Sequence, residues 1–353
     1  MKIIHFFGTM NRGGAELRTL EVIDRVGGSV ENHFCVLSGK RGALDDKIIE
    51  NGGKIHYLKF NLLFLFKLYN LLKNERPNVV HSHVFYTSGL ILLVAKFNGV
   101  KGRISHFRSS SNGRDINIFN NIKYGFLKML TLYAATDVIG VSETTMKAAI
   151  GERWKENSKC QVIYNGIKNN GKFKKNIQVN STTNLVNVGR LISSKNQMFL
   201  VDLLKTMDTG RFNLKLVGNC KTEYAEGIAK SLKELEINNI NLIGEKENVH
   251  DFLRESQIFL FPTEREGLPG ALLEALYHGL PCIVSDIDIH LELKEYFPKQ
   301  LTILPLELSL WKDELLKVDH SLRNGLYECD DISKAPFDLD RSVLKFKDLW
   351  SKY

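Results

Sequence analysis

The sequence predicts an α/β protein built on two parallel, doubly wound sheets. Short apolar, β-branched runs alternate with helix-spaced stretches along nearly the whole chain. The alternation breaks once, at the polar, basic run KNNGKFKKNIQVNSTT from Lys168, and then restarts. The 353 residues are 43% hydrophobic and 25% charged, an ordinary globular composition with length enough for two cores.

In the first half, KIIHFF from Lys2 reads as a strand, followed by a glycine turn and the helix-spaced AELRTLEVIDRV. NHFCVLS and KIHYLKF are further strands, and LLFLFKLYNLLKNERP is a helix that stops at Pro77. NVVHSH, RISHFR and DVIGVS are strands that each end in polar or charged residues, part of the βαβ signature of a parallel sheet. CQVIYNGI ends in the Asn165-Gly166 turn signal. In the second half, NLVNVGR, FNLKLVG, NINLIG, IFLFP and PCIVSD read as strands, separated by helical stretches such as QMFLVDLLKTM and IAKSLKELE. FDLDRSVLKFKDLWSKY is a terminal amphipathic helix. The expected division is residues 1–166 as one domain, 167–182 as linker, 183–335 as the second domain, and 336–353 as a helix returning to the first. Ligands of such sheets bind beyond the carboxyl ends of the strands, so the expected site is the cleft between the halves.

Composition narrows the partners. The longest apolar run, GLILLVAKFNGV, is short and carries Lys96, so no membrane-crossing helix is expected. The N-terminus lacks the small-residue cleavage site of a secretory leader, and the reading is cytoplasmic. Five scattered cysteines without a C-x-x-C pair argue against a metal cluster or a disulfide framework. The net charge of +8 is unevenly spread. Residues 1–180 hold 27 Lys and Arg against 13 Asp and Glu, whereas residues 181–353 hold 21 against 27. A basic half beside an acidic one suggests that only the first meets an anionic partner, whether nucleic acid, a membrane face or a phosphorylated substrate. No nucleic-acid recognition motif is present.

Two stretches of the second half carry chemistry. VNVGRLISSK places Arg190 just after a strand and Lys195 five residues on. A forked donor and a mobile point charge suit a diphosphate, although two loop cations alone are more often simply solvated. The stretch FPTEREGLPGALLEALYHG runs strand, loop, helix, with Pro269 expected at the first helical position and Gly279 as the stop. Free amides around Leu268, Gly270 and Ala271 form an anion site with the helix dipole, and Gly267 and Gly270 allow close approach of a ligand. Glu266 and Glu274, acceptor-only when ionised, suit the hydroxyls of a sugar and a ribose. The plainer reading is an acidic N-terminal turn stabilising its own helix, which accounts well for Glu264 and partly for Glu266 but does not require the glycines.

These residues resemble family 4 retaining glycosyltransferases, which have the GT-B fold of two Rossmann-like domains facing across a cleft. EGLPGALLEAL resembles the family's E-x(7)-E signature and VGRLISSK its G-R-L-x(3)-K clamp. VIYNGI resembles its strand entering the hinge, and MNRGGAE its N-terminal glycine loop. The ordered motifs span residues 1–292, and the first half most resembles bacterial exopolysaccharide, capsule and O-antigen enzymes. The resemblance implies that Arg190 and Lys195 hold the donor diphosphate and Glu274 the ribose. Glu266 and the Gly267, Leu268, Pro269, Gly270 turn would hold the transferred sugar. Gly13 and Gly14 would let the first loop pass near the diphosphate, and His106 would face the donor sugar. His106, Glu266, Arg190 and Lys195 form the expected catalytic set. Arg12, His83 and Arg108 are acceptor-side candidates, with Arg108 standing where the closest subfamily often has histidine.

The implied reaction is metal-independent transfer from a nucleotide sugar, expected to be UDP-linked, with no cofactor. The implied acceptor is a polyprenyl-diphosphate-linked glycan at an anionic membrane surface, with the enzyme peripheral on its cytoplasmic face. Asp286-Ile287-Asp288 imitates a metal motif but follows the strand PCIVSD, where the family has a loop leading to a glutamate, here Glu292. His5, His33, His56, His278 and His320 are read as structural. Two stretches, NLLFLFKLYNLLK and NIFNNIKYGFLKMLTLY, mix aromatics, aliphatics and lysines. The first is read mainly as core-facing and the second as the better membrane surface. A GT-B sugar-nucleotide epimerase is the alternative enzyme, and a non-catalytic nucleotide-sugar-binding subunit the alternative outside enzymes.

Overall fold

The computed structural model describes residues 1–28, 30–109, 118–168, 181–208 and 210–353. Most of the expected linker (169–180) and the first residue of the NIFNNIKYGFLKMLTLY stretch therefore lie outside the described residues. The chain divides into two compact units, Met1–Lys168 with Pro336–Tyr353, and Asn169–Ala335.

The first unit is a parallel sheet of β1 (Lys2–Phe7), β2 (Glu31–Val36), β3 (Lys54–Tyr57), β4 (Val79–Ser82), β5 (Gly102–Phe107), β6 (Asp137–Gly140) and β7 (Cys160–Val162). Its order is β3-β2-β1-β4-β5-β6-β7. The crossovers carry α1 (Gly14–Val26), α2 (Asp45–Glu50), α3 (Phe64–Glu75), α4 (Ser88–Phe97), α5 (Ile118–Ala134) and α6 (Glu143–Ile150). In α3, Phe64, Leu68 and Leu72 recur every fourth residue and are buried. The helix ends where Arg76 turns left-handed (φ 46°) before Pro77. At α6, the Ser142 hydroxyl accepts from Thr145 N at 3.0 Å and caps the first turn.

Strand side chains alternate between faces. One face of the first sheet packs Ile4, Phe6, Val80 and Phe107 against Leu72, Leu92, Ala95 and Met146. The other packs Ile3, Val79, Ile104 and Ile139 against Val22 and Val26 of α1. Val343, Phe346 and Trp350 of the C-terminal helix (Leu339–Ser351) join them. The same parity puts His5, His81 and His106 on this second face.

The second unit is a parallel sheet of β8 (Thr183–Val188), β9 (Phe212–Val217), β10 (Ile240–Gly244), β11 (Ile258–Phe261), β12 (Cys282–Ser285) and β13 (Leu301–Leu304), in the order β10-β9-β8-β11-β12-β13. Its helices are α7 (Gln197–Lys205), α8 (Glu223–Glu234), α9 (His250–Glu255), α10 (Gly270–Tyr277), α11 (Asp288–Lys294) and α12 (Leu308–Arg323). Leu185, Leu214, Leu260, Ile283 and Trp311 form its core. β13 is a strand that the sequence pattern does not reveal: Leu301, Ile303 and Leu304 flank Thr302 just before Pro305. Below β8, the fully buried Asp319 accepts from Arg211 Nε and Nη2 at 3.0 and 2.7 Å and from Arg323 Nε at 3.1 Å. These donors satisfy a carboxylate that would otherwise be costly to bury.

Candidate functional site

In the second unit β8 lies beside β11, although β9 and β10 come between them in sequence. The loops leaving their carboxyl ends are thereby neighbours, and they are tied together. Glu264 N donates to Ser194 O at 3.0 Å, and the Thr263 hydroxyl donates to the same carbonyl at 3.1 Å. Lys195 is ion-paired with Glu266, and its ammonium lies 5.6 Å from the centre of the Phe261 ring. Both pair members are mostly shielded, with side-chain exposures of 14% and 16%.

The loop after β8 is fixed from below. The Asn187 amide donates to Leu260 O at 2.8 Å, and the Gln197 amide donates to Arg190 O at 3.1 Å. Asn187 and Gln197 are buried, so these bonds hold the backbone of Arg190 while its side chain stays exposed. Gly218, after β9, allows the tight packing here. A Cβ on it would lie 1.8 Å from the carbonyl oxygen of Gly189.

The expected helix after the Gly-Leu-Pro-Gly turn is α10, with one correction. Pro269 is its cap (φ −77°, ψ 96°) rather than its first helical residue. The leading amides are therefore those of Gly270, Ala271 and Leu272. Pre-proline restriction explains the shift only for Leu268; Pro269 itself adopts an extended ψ, so the helix starts after it. Glu274 lies in the second turn, half-buried. His278 ends the helix and accepts or donates across 2.9 Å to His250, and Gly279 (φ 74°) closes it. Arg190, Lys195, Glu266 to Gly270 and Glu274 thus gather at the carboxyl edge of one sheet. Asp286 and Asp288 are exposed at the start of α11.

A histidine that sequence reading passed over lies under this edge. His290 Nδ1 donates to Ser285 O at 2.7 Å, and the Ser285 hydroxyl donates to Thr263 O. Burial, with the Lys195 charge adding to it, pushes His290 down to about 4, so the ring is neutral. Its Nε2 is then a buried lone pair with no hydrogen-bond partner among the described residues. Its signal is spatial, passing through Ser285 to the β11 loop, and no spacing in the sequence reports it.

In the first unit, His5, His81, His83 and His106 form a buried layer at the carboxyl half of β1, β4 and β5. His81 stacks on His83 at 4.2 Å and on His106 at 5.3 Å between ring centres. Burial holds all four well below the usual histidine range, His5 at about 4. Two groups that can only donate set their tautomers. Arg108 Nε donates to His83 Nδ1 at 3.2 Å, so His83 carries its proton on Nε2 and gives it to His5 Nδ1 at 3.4 Å. His5 then donates from Nε2 to Asn32 Oδ1 at 3.1 Å. Trp350 Nε1 donates to His81 Nδ1 at 3.3 Å, so His81 Nε2 donates to His106 Nδ1 at 3.2 Å. His106 therefore ends the chain as an Nε2–H donor that finds no partner among the described residues.

Arg108 also donates to Asn165 Oδ1 at 2.9 Å and to Thr19 Oγ1 at 2.7 Å, binding β5, α1 and the turn after β7 together. Burial pushes its guanidinium down to about 9, still protonated near neutrality. His83 is buried against Phe7, 4.3 Å between ring centres. Arg12, by contrast, is exposed in the loop before α1, with Gly13 as that helix's cap. The structure thus brings together His83, His106 and Arg108 inside the first sheet, and separately Arg12, Gly13 and Gly14 on its first loop.

Comparison with known proteins gives this geometry its context. The family model "Glycosyltransferase Family 4" matches residues 12–170, and "Glycosyl transferases group 1" matches residues 169–296. The chain is 36% identical over 361 residues to the capsular polysaccharide biosynthesis glycosyltransferase CapH of Staphylococcus aureus, covering 99% of this chain and 98% of that protein. The chain belongs to this glycosyltransferase family. The glycosyltransferase is also 27% identical over 249 residues to the UDP-Gal:alpha-D-GlcNAc-diphosphoundecaprenol alpha-1,3-galactosyltransferase of Escherichia coli, 64% of this chain and 62% of that one. Among solved structures, Anabaena Alr3699/HepE in complex with UDP covers 100% of both chains, with a TM-score of 0.80 and 16% identity. At that identity the likeness speaks to fold, and the fold of this glycosyltransferase is GT-B, with two Rossmann-like parallel-sheet units.

Proposed function

We propose that this glycosyltransferase moves a sugar from a UDP-sugar to a lipid-linked glycan during surface polysaccharide assembly, with retention at the anomeric carbon and without a metal. The observation that carries the proposal is the carboxyl edge of β8 and β11. There a fixed-backbone arginine and a lysine–glutamate pair sit beside the N-terminus of α10. In this reading Arg190 and Lys195 hold the diphosphate and, with the leading amides of α10, stabilise the charge that grows on it as the glycosidic bond breaks. Glu274 takes the ribose. Glu266 and the Gly267–Gly270 backbone orient the sugar, and Gly13 and Gly14 pass the first loop near the phosphates. The acceptor hydroxyl attacks from the face that the diphosphate leaves, and a leaving phosphate oxygen takes its proton. Full burial, an Nδ1 that already accepts from His81 and an Nε2 that carries the proton leave His106 no free lone pair for a general base, so its proposed part is positioning, as the ordered end of the histidine chain. Arg12 is the proposed acceptor contact, with Arg108 and His83 bracing α1 and β5 behind it.

The donor in the name of the Escherichia coli relative is UDP-linked and its acceptor is a diphosphoundecaprenol glycan. The capsule enzyme from Staphylococcus aureus points to the same setting. A thermal-shift panel of UDP-, GDP- and ADP-sugars tests the donor. UDP-sugars stabilise the wild type and lose that effect in Arg190→Ala, while stabilisation by none of them sinks the reading. Turnover that persists in EDTA supports metal-free transfer; its loss, with recovery on adding Mg²⁺, overturns it.

A further inference from the structure

Among the described residues, the groups of the first unit that converge like metal ligands are two. In one of them, His5, His81 and His83, the ring nitrogens are already committed to the hydrogen-bond chain that starts at Arg108 and Trp350. The other group lies outside that chain. It joins His33 on β2, His56 on the edge strand β3 and Glu75, the last residue of α3.

The distances within this group are those of ligands around one ion. His33 Nδ1 lies 3.3 Å from His56 Nε2 and 3.5 Å from Glu75 Oε2, and His56 Nε2 lies 3.7 Å from Glu75 Oε1. Tetrahedral zinc with bonds of about 2.0–2.1 Å separates its ligand atoms by roughly 3.3–3.4 Å. His33 Nε2 lies 2.8 Å from Glu31 Oε1, so its other nitrogen, Nδ1, is the one turned toward His56 Nε2 and Glu75 Oε2. The pairing of a ligand histidine with an outer carboxylate is the arrangement that orients zinc-binding rings.

Lys2 and Lys54 now supply the positive charge, at 3.1 and 2.5 Å from the two Glu75 oxygens. Lys54 is 57% exposed and free to swing into solvent. His33 is buried, and His56 and Glu75 are half-buried, so the group is enclosed yet reachable. We propose that His33, His56 and Glu75 bind a zinc-class divalent cation, with water in the fourth position and Glu31 orienting His33. The ion bonds the edge strand β3 and the end of α3 to β2. The site has no part in sugar transfer, since none of its residues is among those proposed to hold donor or acceptor.

The test is zinc titration into chelator-stripped full-length protein, read by calorimetry against a competing chelator and by melting temperature. One ion per chain binds and raises the melting temperature. His56→Gln and Glu75→Gln each abolish both effects, and Glu31→Gln weakens binding about 10–100-fold. Cobalt(II) gives the intense visible absorption of a tetrahedral site in the wild type, which decides the matter even if a variant fails to fold. No zinc binding and no such cobalt spectrum overturn the proposal, and the ion pairs of Glu75 with Lys2 and Lys54 then account for the group. Zinc binding left unchanged in both His56→Gln and Glu75→Gln also overturns it.

Discussion

Lys195 illustrates how much one side chain has to arbitrate. Without donor, its charge is neutralised by Glu266 inside a mostly shielded pocket. Any diphosphate that recruits Lys195 does so in competition with that carboxylate. Lys195→Ala is therefore expected to weaken UDP binding by about tenfold to a hundredfold, the cost of about 1.5–3 kcal/mol for a lost charge-assisted bond. Glu266→Gln frees the ammonium, so UDP binds as well as or better than in the wild type while sugar transfer collapses. Calorimetry with UDP beside a turnover assay separates the two, and parallel losses of UDP affinity in both variants would refute the competition. Arg190, Lys195, Glu266 and Glu274 could be read from sequence because glycines, spacing and order mark them. His290 and the histidine layer could not be read as a group. Their neighbours come from β11, β12 and the non-consecutive order β1-β4-β5, which no linear spacing reveals.

At the scale of elements, the placement of Arg190 rests on backbone contact. β8 and β9 leave the sheet side by side, and the turn after β9 crosses directly over Gly189. Neither Gly189 nor Gly218 has a left-handed φ, so space and not backbone conformation requires the glycine at 218. Gly218→Ala forces one turn away from the other. It is expected to cost roughly 1–3 kcal/mol or more, as overpacking does. The same shift moves the arginine, so UDP affinity falls although no ligand contact has been removed. Thermal unfolding and UDP titration of this variant test the point, and wild-type UDP affinity with a lowered melting temperature would show that the loop is held by other means. Strands and amphipathic helices were legible wherever their apolar period was long. β13 is not legible because three apolar residues around Thr302, without a flanking pattern, look alike in strand, helix and loop.

Across the whole molecule, charge and exposure distribute the work. No helix among the described residues is long and apolar enough to cross a membrane. On the basic half, however, Leu62, Leu63 and Phe66 around α3 are exposed, as are Ile122, Phe126, Met129 and Tyr133 along α5. The α3 stretch is thus divided, with Phe64, Leu68 and Leu72 in the core. We expect binding to anionic vesicles that weakens with salt, and no sedimentation with vesicles at low salt would exclude it. The same half should be the acid-sensitive one. Its four layer histidines are neutral when folded, packed beside Arg108, whose own charge Glu16 opposes, whereas unfolded histidines take up protons near 6.5. The unfolded state therefore binds more protons below that value, and stability falls as pH falls from about 6.5 toward 4. His5 alone contributes on the order of 3 kcal/mol of that loss by about pH 4. A melting temperature independent of pH across this window would contradict the layer as described.

The first unit is also discontinuous in the chain. Its last piece, Pro336–Tyr353, arrives after all of Asn169–Ala335. Ser342 reaches Tyr164 O at 2.7 Å, Ile167 bridges to Asp338, and Trp350 donates into the histidine layer. During synthesis at about 5–20 residues per second, the first 168 residues wait roughly 10–35 seconds for the helix that covers Ile3, Val79 and Ile104. The second unit, continuous in sequence, can fold first. Of the two units, the one whose first part is made earlier is therefore the one completed later, and a nascent chain halted before residue 336 leaves the part of one apolar sheet face that α1 does not cover for chaperones to hold.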